Sequence, residues 1–212
     1  MGNDLNSLNP TQLDAFREIG NIGAGNAVTA LAGLLGREID MSVPDAQVVP
    51  FNDMMNILNG PESLVSGMLV DISGGLTGYI LLILDITNAY EMVSMALNQG
   101  ERPIPAQLSA ADFDEMDLSV LTEVANILVG AYLSSICTLT GLEVTPSVPQ
   151  IAMDMLGAII SIAAVEYGQI GDSVLFLKTK FTDVGKEMSG HFFLIPDYKS
   201  YKILLQSLGL EL

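Results

Sequence analysis

LDAFREIGNIGAGNAVTALAGLLGREIDMSVP, residues 13–44, and LSVLTEVANILVGAYLSSICTLTGLEVTPSVP, residues 118–149, align without a gap, so that Asn126 falls 105 positions after Asn21. Glu18/Glu123, Asn21/Asn126, Ile22/Ile127, Gly25/Gly130, Gly36/Gly141 and the closing SVP are identical. A second match follows at TGYILLIL (77–84) and SGHFFLIP (189–196), each leading into a helical pattern. The chain therefore reads as a duplication, one domain of two homologous halves (about 10–97 and 115–212), split at the acidic connector NQGERPIPAQLSAADFDEMD (98–117).

Working outward, Asn9 suits a helix N-cap, Pro10 the first helical position and Gln12 the reach-back position of a capping box. Leu13, Phe16, Ile19, Ile22, Val28, Leu31 and Leu35 carry the helix to Gly36, a stop signal. Strand-like runs come next (EIDMSV, AQVVPF, LVSGMLVDI, TGYILLIL), then a helix over TNAYEMVSMAL, and DYKSYKILLQSLG closes the second half as a helix. Pro44 and Pro149 interrupt extended runs and predict a turn or a sheet edge. The expectation is an α+β fold: a pseudo-two-fold, mainly antiparallel central sheet, two long motif-bearing helices and shorter helices around it.

Composition narrows the function. Half of the 212 residues are apolar, enough for a sizeable core. Eight Lys plus Arg against 25 Asp plus Glu give a net charge of −17, which disfavours nucleic acid and anionic membrane as partners. The run MLGAIISIAAV (155–165) is too short to span a bilayer, and MGNDLNSLNPTQ lacks the basic and apolar regions of a signal peptide. The single Cys137 excludes an intramolecular disulfide, and a cytoplasmic location is expected. The lone His191 has no Ser or Cys partner recognisable by spacing and reads as structural. Neither a zinc-type nor a calcium-type pattern occurs, so no metal site is expected.

Gly20, Gly23 and Gly25 give G-x-x-G-x-G, the reverse of the dinucleotide spacing, inside a helix rather than after a strand. The second copy has Ala125 and Leu128 where the first has Gly20 and Gly23, so a phosphate-cradling loop is rejected. Both copies keep a polar stripe instead. Asp14, Glu18, Asn21 and Gly25 stand within roughly 60° of one another on a helix, and Ser119, Glu123, Asn126 and Gly130 repeat them. A mid-helix glycine costs about 1 kcal/mol against alanine. Gly25 and Gly130 therefore serve either a close approach by another molecule or the packing of the helix on its own sheet.

D-x-x-x-E-x-x-N-x₂₂-P (Asp14, Glu18, Asn21, Pro44) and S-x-x-x-E-x-x-N-x₂₂-P (Ser119, Glu123, Asn126, Pro149) resemble the signature of the CheC/CheX/FliY family of chemotaxis phosphatases, and the resemblance runs along nearly the whole chain. It implies a hydrolase of two-component signalling that dephosphorylates the phospho-aspartyl regulator CheY. Asn21 and Asn126 would position the attacking water, and Glu18 and Glu123 would bridge to the regulator's lysine. Asp14, Gly25, Ser119 and Gly130 would dock on the partner. Magnesium would sit on the regulator, with no cofactor in this chain. Two intact motifs are similar to the CheC-type branch and imply a monomer, whereas CheX-type members carry one active helix and dimerise. The apolar segment 151–168 reads as a core helix, or as an exposed face used by a partner. The resemblance favours docking of the receptor deamidase CheD around Asp154. The alternative is a non-enzymatic, flagellar-switch-like or CheD-binding interaction module.

Overall fold

A computed structural model describes residues 8–50, 53–97, 102–167, 173–183 and 186–209. Two helices of 26 residues dominate it: α1 (Pro10–Leu35) and α4 (Glu115–Thr140). The local signals explain both. Asn9 Oδ1 accepts from Gln12 N at 3.0 Å while Gln12 Oε1 accepts from Asn9 N at 2.8 Å, closing the predicted capping box. Asp114 and Asp117 repeat it at the start of α4. Each helix stops at a left-handed glycine, Gly36 (φ 64°) and Gly141 (φ 70°), a conformation that costs a side-chain-bearing residue more.

The strands β1 (Asp40–Pro50), β2 (Leu64–Gly74), β3 (Gly78–Asp85), β4 (Val144–Pro146), β5 (Gln150–Met155), β6 (Ser173–Asp183) and β7 (Lys186–Pro196) form one antiparallel sheet. Its order is β1-β6-β7-β3-β2-β4, with β5 also on β2. The first strand of each repeat thus crosses to the other: β1 pairs with β6, and β4 and β5 pair with β2. The pseudo-two-fold passes between β3 and β7, where Leu81 lies opposite Phe193, its counterpart in the repeat. The expected α+β architecture and antiparallel sheet are observed, with Pro44 on an edge strand and Pro149 in the break between two strands at the opposite edge. Pro44 lies within β1 at a register shift between Ser42 and Asp45, and Pro149 between β4 and β5.

Each face of the sheet carries a core. On one, α1, α4, α3 (Ile86–Ala96) and α6 (Tyr198–Ser207) bury Leu31, Leu35, Leu121, Leu128, Tyr132, Leu204 and their neighbours. On the other, α2 (Met54–Ile57) and α5 (Leu156–Tyr167) cover a smaller cluster that includes Leu81, Phe176 and Phe193. Helix α4 is long and apolar enough to cross a membrane by composition, but its apolar face is spent on the larger core. Segment 151–168 departs from the core-helix reading: residues 150–155 are strand β5, and α5 begins only at Leu156. The ladder to β2 captures the first part because Ile151 and Met153 alternate with exposed residues, a period of two. Ile22, counted as an apolar-face residue of α1, is instead 37% exposed, since Gly20, Gly23 and Ala24 take the inward positions.

The glycines of α1 divide by environment. A Cβ on Gly20 would lie 3.1 Å from Val43 Cγ1, and one on Gly23 only 2.7 Å from Tyr132 Cδ1. Both are close-approach positions, the first against β1 and the second against α4. Gly25 and Gly130 have nothing within 4 Å of where a Cβ would stand, so packing on the sheet is not the reason for either.

Candidate functional site

The structure sets each polar stripe, apart from Asn21, on the outward face of its helix. Asp14, Glu18 and Gly25 are exposed on α1, and Ser119, Glu123, Asn126 and Gly130 on α4. Helix α1 is held against α4 by the Gly23–Tyr132 contact and by a hydrogen bond from Asn26 Nδ2 to Ser135 Oγ at 3.3 Å. Beneath α4, the Tyr132 hydroxyl pairs with Thr179 Oγ1 at 3.0 Å, and burial pushes its pKa up to about 12. The stripes therefore stand on helices anchored from below.

The two copies are not equivalent in detail. On α4, Asn126 Nδ2 lies 3.4 Å from Glu123 Oε2, at the long end of hydrogen bonding, and the carboxamide is open to solvent. Ser119 Oγ donates to Glu115 O at 2.8 Å. On α1, Asn21 is half-buried and turned to the sheet: its Oδ1 accepts from Val43 N at 2.8 Å and its Nδ2 donates to Val43 O at 3.3 Å. Asp14 forms an ion pair with Arg17 at 2.9 Å, whereas the position matching Arg17 is Thr122, which donates to Leu118 O. Arg17 and the Val43 backbone are the site features that the sequence reading missed. The x₂₂-P spacing was the available signal for the second, because it returns residue 43 to the level of residue 21.

Asp154 does not join these stripes. It lies on β5 rather than on a helix, opposite Val65, whose side chain belongs to the smaller core on the far face of the sheet. It is exposed, and next to it an apolar cleft of about 220 Å³ opens between β5 and α5, lined by Gly67, Leu69, Leu81, Ile151, Ile159 and Ile162 among others.

Chemically, each stripe offers one carboxylate and one carboxamide within a helical turn. A carboxamide can donate to and accept from a water without titrating. Among the described residues no group of three or more His, Cys, Asp or Glu side chains could hold a metal ion.

The fold and this paired-helix arrangement have known counterparts. The structure of Thermotoga maritima FliY superposes with a TM-score of 0.75 at 21% identity, covering 96% of this chain and 98% of that one. Residues 12–47 and 116–153, which hold both stripes, match the CheC-like family. In sequence, the Bacillus subtilis CheY-P phosphatase CheC is 34% identical over 98% of this chain and 99% of its own length. The B. subtilis flagellar motor switch phosphatase FliY is 25% identical over 71% of this chain and 38% of its own. The chain belongs to the CheC-like family.

Proposed function

We propose that this chain is a cytoplasmic chemotaxis phosphatase that hydrolyses the aspartyl phosphate of a CheY-type response regulator. Full-length similarity to a CheY-P phosphatase supports the activity, and one observation carries it to residues: Glu and Asn recur at the same spacing on two helices, each with its Glu exposed. An aspartyl phosphate is a reactive acyl phosphate, so catalysis needs mainly a water held in line with the departing phosphoryl group. Asn126 and Asn21 supply the water-orienting carboxamides. Glu123 and Glu18 fix the register by pairing with the regulator's lysine, and the regulator carries the magnesium. Gly130 and Gly25 leave room beside the carboxamides, where a partner's backbone can come close.

The test is phosphate release from a phosphorylated CheY-type receiver with wild type, Asn21→Ala, Asn126→Ala and the double variant, each shown to be folded by circular dichroism. Wild type accelerates release and the folded double variant does not. Four rates equal to buffer would overturn the reading.

A second role rests on the far face of the sheet. The apolar cleft between β5 and α5, which exposed Ile162 lines and whose strand also carries exposed Asp154, is a surface suited to a protein partner, for which the family resemblance suggests CheD. Loss of CheD binding in Asp154→Arg with unchanged basal phosphate release is the expected result.

A further inference from the structure

The break in β1 explains why Asn21 faces inward. The β1–β6 register shifts between Ser42 and Asp45, so Val43 has no partner in the ladder. Its side chain is 1% exposed, and Pro44 beside it contributes no N–H. A buried backbone N–H and C=O without partners is costly. The Asn21 carboxamide supplies both, at 2.8 and 3.3 Å. The second copy meets the same break differently. There Ser147, the counterpart of Ser42, is tied to strand β2, its N donating to Asp71 O at 2.8 Å and its Oγ accepting from Asp71 N at 3.0 Å. Val148, the counterpart of Val43, is 76% exposed, and Asn126 is left open.

One residue accompanies this difference. With no side chain at Gly20, Val43 seats directly on α1, since a Cβ there would stand 3.1–3.3 Å from three of its side-chain carbons. The matching position carries the methyl of Ala125. We infer that Gly20 and the Val43 backbone are positioning elements that clasp Asn21 to strand β1, leaving the first site largely masked and the Asn126 site open. The inference rests on the phosphatase reading for its consequence, but not for the clasp itself. An Asn21 bonded to Val43 is drawn back toward the sheet, and must give up those bonds to reach into a receiver. The masked site then works only in the released fraction of molecules. Each bond worth about a fivefold bias deepens the masking.

Two measurements test this on the full chain. In the first, hydrogen exchange by NMR finds the Val43 amide protected in wild type and fast-exchanging in Asn21→Ala; a Val43 amide equally fast in both overturns the clasp. The second is phosphate release from the phosphorylated receiver. Asn126→Ala retains less than about a fifth of wild-type release. Gly20→Ala in that background forces Val43 outward, breaks the 3.3 Å bond first and raises release severalfold, chiefly in kcat. Adding Asn21→Ala removes the gain, which a purely structural effect of the methyl would not do. Retention of half or more of the release by Asn126→Ala, or no gain in a folded Gly20→Ala/Asn126→Ala chain, overturns the masking. If wild type itself does not accelerate release, the phosphatase reading fails, and the exchange measurement still decides the clasp.

Discussion

Gly23 on α1 lies so close to Tyr132 on α4 that a methyl group there would stand 2.7 Å from the ring and 3.1 Å from the Tyr132 Cα. The ring has little room to retreat: it packs on Phe192 at 4.3 Å between centroids, and its hydroxyl is bonded to Thr179. Gly23→Ala therefore destabilises the fold by about 1–3 kcal/mol, the overpacking cost exceeding the helix-propensity gain. Urea unfolding checks it. An unchanged or raised midpoint would show that the helices separate freely at this crossing.

Gly25 sits two residues further along the same helix and predicts the opposite sign. With nothing within 4 Å of a built Cβ, Gly25→Ala and Gly130→Ala each stabilise by about 1 kcal/mol, because alanine is the better helix former. On the proposed function both also weaken association with the phosphorylated receiver, since the methyl occupies the space beside the carboxamide. Paired denaturation and binding measurements read the two effects together. Stabilisation with unchanged binding would remove Gly25 and Gly130 from the docking surface.

Asn21 and Asn126 separate on stability as well as on chemistry. Asn21→Ala strips the buried Val43 N–H and C=O of their partner and costs about 2 kcal/mol or more. For a chain of this size that lowers Tm by roughly 4–8 °C. Asn126→Ala removes an exposed side chain whose one hydrogen bond is 3.4 Å long, and leaves stability within about 0.5 kcal/mol. Calorimetry on the two single variants decides the point. Equal Tm values would mean that Asn21 bears no structural load.

Much of the framework was legible before any coordinates. Capping boxes and stop glycines are local chemistry, so the ends of α1 could be read from Asn9, Pro10, Gln12 and Gly36. The repeat disclosed both stripes because a helix converts spacing directly into a shared face. The crossing of β1 to β6 and of β5 to β2 left no such trace, because strand pairing between distant segments is a tertiary property that no local pattern encodes. The boundary at Leu156 was hidden for a related reason. An unbroken apolar run has no period of its own, and only the β2 ladder decides that residues 150–155 extend while those after them coil. At the site, residue types were legible but side-chain directions were not. Whether Asn21 points out or back depends on a bulge in a strand twenty-two residues away in the chain.

His191 gives the protein a pH dependence of definite sign. Its ring stacks on Phe176 at 5.8 Å between centroids, Lys178 lies opposite it on β6 and Ile83 on β3, and Nδ1 is buried without a hydrogen-bond partner. Burial, with a smaller contribution from Lys178, pushes the imidazole pKa down from 6.5 to about 4. The folded chain therefore favours the neutral ring, while the unfolded chain binds a proton below pH 6.5. Stability from this group is complete above that pH, is lost as pH falls toward 4, and levels off below it, a total of roughly 3 kcal/mol. His191→Phe keeps an aromatic ring beside Phe176, removes the orphaned nitrogen and abolishes this part of the acid limb. The carboxylates titrate alike in both proteins, so the difference between their urea midpoints from pH 7 to pH 4 isolates the histidine. Parallel curves over that range would show that His191 is solvated and titrates normally.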